Sequence, residues 1–170
     1  RTHRVNAGNE TSTPALLGEA QIDWLIRAVK YSDAAFKFVA VGNQVLNTAQ
    51  VFENYANYAS ERALLLDRID KEGLEGVVFL TGDRHFSELS RLVLPGGKEV
   101  VEITSSPLTA GLNGRPEENA LRVPGSRINA HNFALLRVEG PRKARTLSVE
   151  YRDTKGDLIA ERELLTRTRE

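Results

Sequence analysis

Gly76-Val77-Val78-Phe79-Leu80-Thr81-Gly82-Asp83-Arg84-His85 is the stretch that decides the fold. Its apolar run suits a short strand buried on both faces, and Gly82 ends it where a loop begins. Ahead of it, Tyr58 to Lys71 carries Ala59, Ala63, Leu64, Leu66 and Ile69 among charges, with Gly73 as a stop just beyond, so a helix is predicted there. Earlier still, Phe36-Lys37-Phe38-Val39-Ala40-Val41 is a second strand-like run, ending in Gly42-Asn43-Gln44. It is preceded by Leu16, Leu17, Ile22, Leu25, Ile26 and Val29 near helical spacing, opening at Thr13-Pro14, which predicts an amphipathic helix with Trp24 beside its buried face. Helix, strand, helix, strand implies a layered α/β core.

The second half changes character. Leu89 to Leu94, Glu99 to Thr104, Phe133 to Val138, Thr146 to Tyr151 and Leu158 to Leu164 alternate as strands do, and Pro95-Gly96-Gly97 and Thr154-Lys155-Gly156-Asp157 fit hairpin connections. Ser105 to Ala130 shows no sustained periodicity; unstructured stretches longer than roughly 12–15 residues are usually functional or disordered. Arg1 to Thr13 is polar and reads as loop.

Composition sets bounds on function. Acidic and basic residues number 23 each, so no net field draws in nucleic acid or anionic lipid. There is no cysteine, which excludes disulfides, a thiolate nucleophile and sulfur-bound zinc. The longest apolar runs fall far short of a membrane span of roughly 20 residues. At 170 residues and 41% hydrophobic, a single domain over 1–170 is expected. With Arg1 first and no methionine, a processed or partial product is expected.

Asp83 and His85 emerge at the end of an apolar strand, where ligands collect in α/β folds. Two residues apart in an extended segment, they would project to one side and hold metal ions jointly, and carboxylate with imidazole suits iron, manganese or zinc. The alternative is that Asp83 caps the next turn while His85 packs against Phe86. Arg84 offers a forked donor for phosphate oxygens or a supporting surface charge. Asn43 and Gln44 are candidates for substrate binding, and a turn-forming Asn after glycine is the competing role. His131, at a strand entrance, reads as structural. Ser105 and Ser106 lack a histidine base in an elbow motif and read as a polar loop at the mouth of the site.

Leu80-Thr81-Gly82-Asp83-Arg84-His85-Phe86-Ser87-Glu88-Leu89 resembles the last metal-binding motif of the alkaline phosphatase D (PhoD-like) family, a branch of the calcineurin-like metallophosphoesterases. Leu17 to Leu25, Phe36 to Gln44, Glu102 to Thr109 and His131 to Leu136 resemble further family segments in the same order. The resemblance runs from Leu16 to about Tyr151. It implies the C-terminal half of a two-sheet β-sandwich flanked by helices, of α/β (α+β) class. It also implies hydrolysis of phosphate mono- or diesters by a metal-activated water, with iron and calcium as the ions and manganese or zinc as alternatives. His85 then stands at a metal-ligand position. Asp83 replaces the first histidine of the superfamily's usual Gly-His-x-His and is either a ligand or a group that orients one. His3, with Arg1 and Arg4, resembles a basic segment that follows the family's earlier acidic motifs.

Those acidic motifs should precede Arg1, and nothing in the chain replaces them. Two-metal hydrolysis needs several anionic ligands around ions roughly 3.5–4 Å apart, so the isolated segment is expected to be inactive. An incomplete sandwich also leaves a strand edge open, which predicts a homodimer or another edge-covering partner. The family resemblance implies export, periplasmic or secreted. The competing reading is a non-catalytic α/β interaction domain that kept the fold and lost the site.

Overall fold

A computed structural model describes residues 15–115 and 117–168. The polar opening with Arg1, His3 and Arg4, and the Thr13-Pro14 helix start, lie outside the described residues. Helix α1 spans Glu19–Lys30 and buries Ile22, Ile26 and Val29, one stripe at i, i+4 and i+7. Trp24 is 64% exposed and not beside that stripe, because a step of two residues turns about 200° around the helix.

Helix α2 spans Ala59–Lys71, after a 3-10 turn at Tyr55–Tyr58. Its buried face is Glu61, Leu65, Leu66 and Ile69, whereas Ala59, Ala63 and Leu64 face solvent. The stripe is shifted from the sequence expectation because a carboxylate belongs to it. Glu61 accepts the backbone N–H groups of Leu16 and Gly18, each at 2.6 Å, and of Leu17 at 3.1 Å. α2 thereby satisfies donors at the entrance to α1 that would otherwise be buried without partners.

Four strands, β1 (Lys37–Ala40), β2 (Val77–Thr81), β3 (Glu88–Val93) and β4 (Glu99–Thr104), form one sheet in the order β1-β2-β4-β3. β1, β2 and β4 run parallel and β3 pairs antiparallel to β4. β5 (Asn132–Glu139), β6 (Ala144–Asp153) and β7 (Leu158–Thr168) form an antiparallel meander. The alternation of β2 explains the layering: Val77 and Phe79 pack with α1 and α2, while Val78 packs with Leu147, Val149 and Tyr151 of β6. A strand whose successive side chains enter two different cores has to be apolar throughout. The Tyr151 hydroxyl ties the sheets together by donating to the carbonyls of Thr104 at 3.1 Å and Glu88 at 3.3 Å. This is the α/β two-sheet arrangement expected from the sequence. The 105–130 stretch is irregular, but it bridges to β3 at Ser90↔Arg122 and to Ser87, just before β3, at Ile128.

No helix among the described residues is long and apolar enough to cross a membrane. Among the described residues, Gly76 and Gly140 are closed to any side chain by nearby backbone. Gly76 has φ 68°, and a Cβ there would lie 2.2 Å from the Ala35 carbonyl oxygen, while its own carbonyl accepts the Lys37 amide at 2.7 Å. Gly76→Ala is therefore expected to destabilise by more than about 1 kcal/mol, read as a lower urea midpoint at unchanged slope; an unshifted midpoint would show that the β1–β2 entry tolerates a side chain.

Candidate functional site

β1 and β2 run parallel, so the loops leaving Ala40 and Thr81 emerge at the same carboxyl edge of the sheet. Beside that edge lies a pocket of about 290 Å³ lined by Phe52, Glu53, Asp83, Arg84, His85 and Asn113. Asp83 and His85 are thus brought together, though not in the extended geometry expected. Both have φ 59°, in the left-handed region that is uncommon outside glycine. The bend is held by hydrogen bonds on both sides of His85: its N–H donates to Ser106 Oγ at 3.0 Å, and its carbonyl accepts the Asn113 N–H at 2.9 Å. Asp83 is exposed and His85 half-buried. Backbone held in a sparsely populated region by surrounding bonds is typical of functional loops.

The structure separates the other candidates. The Arg84 side chain is only 5% exposed and pairs with Glu117. Its guanidinium carbon lies 5.0 Å from the Phe52 ring centre and 5.5 Å from that of Phe86, and its Nε is buried without a hydrogen-bond partner. Arg84 thus lines the pocket with a guanidinium already engaged by Glu117. Asn43 donates its amide to the Glu53 carbonyl at 2.7 Å, tethering the β1 loop to the pocket wall. Gln44 lies wholly inside, donating to Glu88 at 2.8 Å and to Thr104 Oγ1 at 2.9 Å. Outside the pocket lining, the exposed His131 ring shares a 2.9 Å hydrogen bond with the Ala110 carbonyl.

Sequence reasoning missed the buried polar layer under the edge. Glu88 is fully buried; besides Gln44 it accepts Asn119 at 2.9 Å and pairs with Arg122. Glu102, also fully buried, accepts the backbone N–H of Val45 at 2.5 Å and of Leu46 at 3.0 Å. A glutamate set inside Val100-Val101-Glu102-Ile103 was the available signal, since a charge in a two-faced apolar strand has to find buried donors. Phe52, Glu53 and Asn113 carried no comparable signal, because they come from irregular segments and meet only in the fold.

Three layers, with a polar pocket at the carboxyl ends of parallel strands, define an α/β/β domain whose site sits on the edge of its mixed sheet. The chain belongs to the PhoD-like phosphatase family, whose pattern it matches over residues 2–152. A solved structure of PhoD shares the fold, with a TM-score of 0.65 at 17% identity. The match covers 99% of this chain and 39% of that one, so the chain spans about two-fifths of the matched structure. None of the curated proteins matches.

The layer beneath the pocket has a pH signature. Burial pushes the Glu102 carboxyl up from 4.5 to about 7; the Val45 and Leu46 amides pull the other way, and the Glu88 carboxylate adds to the rise. Arg62 and Tyr151 also feel its charge. The folded protein keeps this proton up to about pH 7, whereas the unfolded chain releases it near 4.5. The contribution to stability is therefore complete below the lower value and is lost as pH rises through the upper one. Urea unfolding should show wild-type stability declining across that window by up to about 3 kcal/mol, and Glu102→Gln should remove that component of the slope. An identical slope in the variant would assign the decline to another group.

Proposed function

We propose that this chain forms the carboxyl-terminal part of a metal-dependent phosphomonoesterase or phosphodiesterase domain, with His85 and Asp83 as one corner of its metal site. The observation that carries this reading is the placement of an imidazole and a carboxylate on one clamped, left-handed bend at the carboxyl edge, lining the same pocket. Membership of the PhoD-like phosphatase family supports the reaction class.

The donor types fit such a site. An imidazole with a carboxylate suits iron, manganese or zinc, and calcium would be drawn to the carboxylate side. The described residues contain no group of three or more metal-binding side chains, so on this reading the remaining ligands come from outside them. Bound metal would supply Lewis-acid activation of a water molecule and of the ester phosphate. The chain's own part is to hold the geometry. Ser106 and Asn113 fix the His85 backbone, so that only the ring's rotation remains to be ordered when ligand arrives. Asn43 pins Glu53 to the β1 loop and stands next to the pocket for substrate. Gln44 holds that loop from inside through Glu88 and Thr104. Arg84, paired with Glu117, lines the pocket.

Joined to the rest of a domain of the matched structure's size, the chain should release nitrophenol from 4-nitrophenyl phosphate or its bis-ester, and a chelator should stop the reaction. His85→Ala should reduce the rate by at least about a hundredfold, while His131→Ala should leave it near wild type. Full activity in His85→Ala would remove His85 from the site, and wild-type protein that binds no metal and hydrolyses neither ester would favour the non-catalytic interaction domain instead.

A further inference from the structure

Phe52 is the residue that neither the fold nor the metal corner explains. It is 70% exposed, lines the pocket beside Asp83 and His85, and has φ 50°. A bulky side chain in that conformation is a backbone outlier, and one that leaves its ring in water gains little burial to offset the strain. The loop is nonetheless held in place. The Phe52 carbonyl accepts the Asn57 side-chain amide at 2.6 Å, Asn54 donates to the Ala49 carbonyl at 3.0 Å, and Asn43 holds the Glu53 carbonyl at 2.7 Å. Beneath the ring lies Arg84, with its guanidinium carbon 5.0 Å from the centroid. That guanidinium is fixed in turn by Glu117 and by its contact with the buried Phe86.

We propose that Phe52 is a specificity-determining platform that stacks on a flat aromatic leaving group of a phosphate ester whose phosphate lies toward Asp83 and His85. The proposal rests on the hydrolase reading above and deepens it by naming the substrate class. The chemistry favours it on two counts. An ordered aromatic ring loses little conformational entropy when it stacks. A cation against one face of the ring, with the exposed ring surface left for ligand, gives a rigid shelf whose geometry is set before ligand binds. An aliphatic leaving group would meet the same shelf with less contact area and no ring–ring attraction.

The test is ligand-observed NMR on the 170-residue chain in the presence of zinc, with phenyl phosphate and methyl phosphate as probes. Phenyl phosphate should bind roughly tenfold more tightly, with its ring protons shifted upfield. Phe52→Ala should collapse that preference, and Phe52→Tyr, which keeps the ring, should retain it. Folding of each variant is checked by its thermal melt. A preference that survives Phe52→Ala, equal affinity for the two probes, or no binding of phenyl phosphate would each overturn the proposal. A shift of the His85 ring protons on adding zinc reports the metal corner separately, so that loss of the hydrolase reading and loss of the platform give different results.

Discussion

Two carboxylates with no exposed surface, Glu88 and Glu102, impose the constraint on which the site depends. A buried carboxyl group, charged or protonated, is tolerated only when hydrogen-bond partners surround it, and here the donors come from segments far apart in sequence. Gln44, the Val45 and Leu46 amides, Asn119 and Arg122 all converge on this pair. The loop after β1 and the irregular stretch after β4 are thereby drawn to the same sheet edge. Apolar packing alone would leave both free to slide. Hydrogen bonds give them one arrangement, because each donor moved away leaves a lone pair or a charge unsatisfied.

On that floor stand two strained features facing one pocket. Asp83 and His85 bend through the left-handed region between Ser106 and Asn113, and Phe52 does so between asparagine-held turns above Arg84. Each persists because surrounding hydrogen bonds hold it there, as such backbone requires. Arg84 links them. It lies between Asp83 and His85 in sequence and against the Phe52 ring in space, so one short loop reaches both features.

The layering was legible because its signals are local. β2 reads as a two-faced strand from four successive apolar residues, and the hairpins at Gly96-Gly97 and Lys155-Gly156 read from their turn chemistry. The phase of α2 was not legible, because Glu61 occupies a buried position for the sake of backbone donors 43 to 45 residues away. His85 and Asp83 could be located by their place after a strand, but their left-handed bend depends on Ser106 and Asn113, which sequence spacing does not connect to them. Gln44 and Arg84 carried residue types suited to substrate contact, and their burial depends on Glu88 and Glu117 partners that only the fold supplies. Periodicity reports which side of an element is apolar. It does not report which distant polar group an inward side chain will meet.

The central claim is that the His85 ring and the Asp83 carboxylate face the pocket together as a place for metal. Anomalous diffraction from crystals of the chain grown with manganese tests it most directly. The account predicts an anomalous peak at bonding distance from a ring nitrogen of His85, about 2.0–2.3 Å, with the Asp83 carboxylate beside it. A His85 ring turned into the interior, with no peak at the pocket, would contradict it.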